Sequence, residues 1–309
     1  MNLVNLRAAH YALSLAPALG GSISRFTWLH LNGQHVDLLR PMPAGATSSE
    51  AAGCFPLFPF SNRVRHGHFS FDGREIFLPR NTGGPHVEHG HGWQRAWTVA
   101  AQDDQSATLS FTHDSATDGS WPFAYRAEQH FALDDSGLSV TLRAQNLGER
   151  PMPLGFGLHP FFPRSPRCRL RAGVSGFWET DAEVMPTRHV PVPATFDLNR
   201  GLALNDIIVD NVFTGFAGEA VIDWPESATS LTLTAGPELL QLVLYVPDAT
   251  TQELERTHGI QPYFCAEPVS NITDAFNLAG KVETGLIPLA PNAEAVTSVH
   301  FAASVLRCG

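Results

Sequence analysis

Apolar and polar residues alternate with period two in several stretches of the chain: residues 107–112 read ATLSFT, 126–133 RAEQHFAL and 138–145 LSVTLRAQ. Such segments bury one face and leave the other in water, as antiparallel strands do. In 69–77 (FSFDGREIF) Asp72-Gly73 separates two of these runs. Gly after Asp suits a primed hairpin turn, whose central residues need positive φ. Asp134-Asp135-Ser136-Gly137 and Asn32-Gly33 repeat the signal less cleanly. No window longer than roughly twelve residues keeps an i, i+3, i+4 apolar stripe free of Gly and Pro, so helix is confined to short turns, one of them near 250–256. Gly (26) and Pro (23) are spread throughout and cut the chain into many short elements without leaving a linker. There is no internal repeat or low-complexity tract, and the Pro-rich patch 186–193 is too short to mark a boundary. The pattern predicts an all-β fold, a single continuous antiparallel β-sandwich over residues 1–309.

Composition narrows the function. Charged residues are 16% and hydrophobic ones 43%, which excludes disorder and coiled coil. Lys plus Arg is 20 against Asp plus Glu 30, a net charge of −10 that repels phosphate backbones and anionic lipid surfaces, so neither nucleic acid nor membrane is expected as a partner. Lys281 is the only lysine, which restricts Schiff-base chemistry to one position. Cys54, Cys168, Cys265 and Cys308 are far apart with no C-x-x-C pair, so neither a zinc site nor a disulfide framework is expected, and a reducing compartment fits. With no leader-like N-terminus and no run of about 18 apolar residues, the expectation is a soluble cytoplasmic protein, monomer or homodimer.

Candidate chemistry lies in five segments. Among 14 histidines, His86, His89 and His91 occupy the loop PHVEHGHGW, where glycines permit close approach of backbone or ligand. Such a loop also reads as a solvated or adventitious metal-binding turn. His159 is the one titratable residue in the apolar run GFGLHPFF, which fits either a hydrogen-bonded core imidazole or a proton-transfer group. Glu267 ends the apolar stretch FCAEP; a carboxylate there must be paired, hydrogen-bonded or raised in pKa, and a general base and a structural ion pair look alike at this level. Asn62-Arg63 in FSNRV and Asp210 in DNVFTG carry side chains that hydrogen-bond neutral hydroxyls, and the aromatics (10%, six of them Trp) offer rings on which sugar faces stack.

In order and rough spacing these segments resemble the aldose 1-epimerase (galactose mutarotase) family along most of the chain. The resemblance rests on Gly20-Gly21-Ser22-Ile23 and Leu38-Leu39-Arg40, similar to that family's first strands, then FSNRV with Gly67-His68-Phe69, His89-Gly90 with Trp97, His159-Pro160-Phe161-Phe162, Asp210-Asn211-Val212-Phe213 and Cys265-Ala266-Glu267-Pro268. It implies a galactose mutarotase-like supersandwich with an open sugar cleft. The implied reaction is interconversion of the α and β anomers of a free aldohexose, with a monosaccharide as partner and neither cofactor nor metal. On matching positions it implies Glu267 as general base, His159 as general acid, and His89, Asn62, Arg63 and Asp210 as substrate-holding residues. His91 follows His89-Gly90 where many relatives have an aromatic or Gly, which makes it a further candidate for sugar contact. Phe58-Pro59 stands where Gly-Arg is common in the family. Two other readings share the fold. A hexose-6-phosphate 1-epimerase would need an added Arg cluster, for which Arg164, Arg167, Arg169 and Arg171 are available. A non-catalytic carbohydrate-binding module would not require Glu267 and His159 together.

Overall fold

The computed structural model describes residues 2–306. Two large antiparallel sheets, of eleven and nine strands, form the fold, with three two-stranded ribbons beside them. Five strands build the middle of the larger sheet and lie side by side in the order Cys54–Leu57, Gly157–Pro163, Tyr263–Val269, Gln241–Val246 and Val209–Thr214. The period-two segments fall in the smaller sheet as consecutive strands Ser106–His113, Tyr125–Asp134 and Gly137–Asn146. The Asp72-Gly73 turn joins His68–Phe71 to Arg74–Phe77, with φ of 49° and 71° at its two central residues. Asp248 caps the short helix Ala249–Thr257 by accepting a hydrogen bond from the Thr251 amide at 2.9 Å. Pro186–Pro191 is a strand at the edge of the larger sheet.

The two sheets share one core, in which Phe26, Leu158, Phe162 and Phe264 of the larger meet Leu109, Phe131, Val140 and Phe301 of the smaller. The opposite face of the larger sheet is also covered: Phe55, Phe161, Val243, Tyr263 and Cys265 form a second cluster with Trp93, Trp178 and Val212. Because side chains alternate across a strand, Phe264 and Ala266 point into the sandwich, whereas Tyr263, Cys265 and Val269 point to the second face. That face carries the site.

Two details differ from the expectation. Strands Val4–Arg7 and Tyr11–Ala16 precede the Gly20 segment, and residues 38–40 form a bend instead of a strand. The bend is fixed by the Arg40 amide donating to the Phe161 carbonyl at 2.7 Å, which draws the Arg40 side chain under the sheet's second face. Cys54, Cys168 and Cys265 are buried free thiols, and Cys308 lies outside the described residues. Among the described residues no helix is long and apolar enough to cross a membrane.

Candidate active site

A cavity of about 660 Å³ opens on the second face of the larger sheet, a size suited to a small ligand. Its floor is the strand pair Gly157–Pro163 and Tyr263–Val269, whose register (Gly157 opposite Val269, Phe161 opposite Cys265) sets His159 opposite Glu267. His159 Nε2 lies 3.3 Å from Glu267 Oε1. The imidazole is held between two rings: Phe161 stacks on it at 4.5 Å and 19°, and Phe55, its cross-strand partner, lies at 4.5 Å. Arg40 lies beneath, its guanidinium 4.0 Å from the Phe161 ring centre and 4.4 Å from that of Tyr263, while it donates to the Ala52 carbonyl.

Burial governs the electrostatics of the pair. Removal from water pushes the Glu267 carboxyl well above the usual carboxylate range; Asp210 and Glu88 add to this and Arg63 opposes it. Burial likewise pushes His159 well below its usual value, helped by His89, Arg40 and Arg63. The pair is therefore uncharged and holds one proton between two groups in contact. Glu267 Oε2 and His159 Nδ1 have no hydrogen-bond partner within the protein.

The walls come from loops with special backbone geometry. Asn62 and His89 both have φ of 59°, and each ties the other down: the His89 amide donates to the Asn62 carbonyl at 2.9 Å, and the Asn62 amide donates to His89 Nδ1 at 3.0 Å. His89 Nδ1 is thus an acceptor, which assigns the ring proton to Nε2 and makes it a donor for a hydroxyl in the cleft. Burial, with Arg63 adding, lowers the His89 pKa to about 3, so the ring is neutral. Asn62 Oδ1 accepts from the Arg63 amide at 2.8 Å. Arg63 bridges two carboxylates, Asp210 at 3.1 Å and Glu88 at 3.4 Å. Burial works against its charge, but Asp210 and Glu88 outweigh it and hold the guanidinium cationic.

Of the residues expected at the site, the structure brings Glu267, His159, His89, Asn62, Arg63 and Asp210 together around this cleft. His91 is elsewhere. Gly90, at φ 64°, would place a Cβ 2.1 Å from the Phe58 carbonyl, and the His91 and Gly92 amides both donate to that same oxygen. The chain turns so tightly that His89 faces the cleft while His91 enters the core, 3.3 Å from the Tyr125 hydroxyl and with its ring 4.5 Å from that of His113. His86 diverges in turn: its Nδ1 accepts from the His66 amide and its Nε2 lies 3.4 Å from Glu183. The three histidines of the loop do not converge on a metal. The arginine series is not at the cleft either. Arg164 donates to the carbonyls of Leu204, Pro247 and Asn205, Arg167 pairs with Glu226 at 3.2 Å, and Arg169 donates to the Gly201 carbonyl.

Several contributors escaped the sequence reading. Glu88, Glu50, Trp93, Tyr245, Tyr263 and Glu255 line the cavity. Asn271, just after the strand that carries Glu267, accepts from the Ser61 amide and donates to the Ser61 carbonyl, both at 3.1 Å, which pins the loop that presents Asn62 and Arg63. Glu88 could have been singled out as the carboxylate beside His89, and Arg40 as a charge following two leucines; nothing local marks Asn271.

The fold is a large antiparallel β-sandwich in which a carboxylate and an imidazole face one another in an open cleft, and known proteins share this fold. The family model described as Aldose 1-epimerase matches residues 2–302. The uncharacterized protein YphB of Escherichia coli K12 is 33% identical over 264 residues, 84% of this chain and 86% of its own length. The crystal structure of a putative aldose 1-epimerase from Escherichia coli K12 superposes with a TM-score of 0.88 at 29% identity, covering 99% of both chains. A galactose mutarotase-like protein from Clostridium acetobutylicum has the same fold, with a TM-score of 0.84 at 20% identity over 98% of this chain and 95% of its own. This chain belongs to the aldose 1-epimerase family.

Proposed function

We propose that the protein is a mutarotase that interconverts the α and β anomers of a free aldohexose, with Glu267 and His159 as its proton-transfer pair. The observation that carries this reading is the buried contact of Glu267 with His159 at 3.3 Å on the cleft floor. Ring opening needs one proton removed from the O1 hydroxyl and one delivered to the ring oxygen, and closure on the other aldehyde face needs the reverse. A pair that holds a single proton supplies both transfers without net change. Across their contact Glu267 first passes its proton to His159 Nε2; the carboxylate so formed takes the O1 proton while the imidazolium gives its proton to the ring oxygen, which restores the uncharged pair, and the roles exchange on closure. Each group contributes about 10² to 10⁴-fold. His89 Nε2, the Asn62 amide group and the Arg63–Asp210 pair hold the sugar hydroxyls, and Phe55, Trp93 and Tyr263 offer ring faces.

A neutral sugar fits the charge of the cavity better than a phosphate ester. Besides the uncharged Glu267, the acidic residues Glu50, Glu88, Asp210 and Glu255 line it against Arg63, its only Arg or Lys among the described residues. Polarimetry of Glu267→Gln, His159→Gln and the double variant tests the assignment. Each single change lowers kcat by about 10² to 10⁴-fold, and the double loses little more than the worse single because the two act as a unit. Independent, multiplying losses would refute the paired mechanism.

A further inference from the structure

Cys265 is a buried thiol on the strand that forms the cleft floor, and the proposed reaction leaves it without a role. It precedes Glu267 by two residues on the Tyr263–Val269 strand, so the pleat brings both to the same face, and His159 stands across the ladder from Glu267. One ligand atom from each of His159, Cys265 and Glu267 lies within 4.8 Å of the other two, and all three residues are buried. A second observation points to a ligand: Glu267 Oε2 and His159 Nδ1 are buried with no partner, which is costly for groups of this polarity unless something binds them.

We propose that His159, Cys265 and Glu267 form a binding site for a thiophilic divalent cation of the zinc type, which reversibly blocks the cleft. Imidazole nitrogen, thiolate sulfur and carboxylate oxygen are zinc ligands, whereas calcium and magnesium take oxygen sets. Tetrahedral zinc holds neighbouring N and S ligands about 3.5 Å apart, so side-chain adjustments of roughly an ångström close the set. Charge also balances: the thiol and carboxyl each release a proton to water on binding, and the two anions then neutralise the dication where an unbalanced charge would be unfavourable. Three protein ligands leave a fourth position toward the cleft for water or a sugar hydroxyl. The spacing of cysteines along the chain gave no hint of the site because its ligands come from two strands. Inhibition rests on the mutarotase reading, since the cation occupies both proton-transfer groups; binding itself does not.

Cobalt(II) added to the intact protein separates the two. The expected result is a thiolate-to-cobalt charge-transfer absorption at one equivalent that zinc displaces and that is lost in Cys265→Ser and Cys265→Ala, while Cys54→Ser, whose thiol faces the sandwich core, retains it. Zinc inhibition of each variant, measured against its own metal-free rate, is expected to be competitive with aldose in wild type, reversed by chelator, and at least about tenfold weaker in both Cys265 variants. Absence of the band in wild type, its persistence in the Cys265 variants, or equal zinc inhibition of all forms would overturn the proposal. Should no aldose be turned over, the cobalt spectrum still decides the site.

Discussion

His89 and His91 show how a single residue's surroundings set its chemistry. One is neutral in the cleft with a defined donor nitrogen; the other is neutral in the core. Burial lowers the His91 pKa to about 3, with His113 contributing, against an ordinary value of 6.5. The folded pKa lies below the unfolded one, so between pH 6.5 and about 3 the unfolded chain binds a proton that the folded chain refuses, and stability falls as the pH falls through that window. His91→Phe is therefore expected to flatten the pH dependence of stability by up to about 1.4 kcal/mol per pH unit below 6.5, leaving sugar turnover in place. Urea unfolding at a series of pH values checks this, and an unchanged slope would mean that His91 is not a buried neutral group.

Among the elements, the two-residue ribbon of Arg63–Val64 with Val87–Glu88 and the turn at Gly90 do most to shape the cleft wall. Gly90→Ala is expected to destabilise the fold by about 3 kcal/mol, because it combines a positive φ with a Cβ driven into the Phe58 carbonyl, and to raise KM through His89. A variant with wild-type Tm and KM would show that the turn tolerates a side chain. The elements also differ in how readily the sequence betrays them. Ser106–His113 and its neighbours were legible because one face of the smaller sheet meets solvent, which writes the period of two into the residues. Gly157–Pro163 and Tyr263–Val269 are buried on both faces and read only as apolar runs. His159 and Glu267 stood out there as polar residues in apolar company, but their pairing is a matter of strand register across distant parts of the chain. Asn271 and Arg40 act through backbone carbonyls and amides, which no side-chain pattern records. His91 was misplaced because nothing in HGH says that the intervening left-handed glycine reverses the direction of the next ring.

The molecule as a whole carries a charge of −10, and its cleft shares that sign. Glucose 6-phosphate is therefore expected to have a kcat/KM roughly tenfold or more below that of glucose, with the gap narrowing as salt screens the carboxylates. A phosphate ester preferred over the free sugar would restore the hexose-6-phosphate reading. Burial raises Glu267 and lowers His159, so the single shared proton persists between an acid limb below 6.5 and an alkaline limb above 4.5, and kcat/KM traces a bell between those two limbs. An acid limb at or above the ordinary histidine value would mean that the imidazole is not desolvated in the free enzyme. The most direct measurement of the central claim is the exchange rate between the α and β anomeric proton signals of equilibrated glucose and galactose, followed by magnetisation-transfer NMR with wild type and Glu267→Gln at neutral pH. Exchange accelerated by wild type and reduced about 10² to 10⁴-fold by the substitution, in a protein that still folds, is the predicted result. Undiminished exchange with Glu267→Gln, or none with wild type, would contradict it.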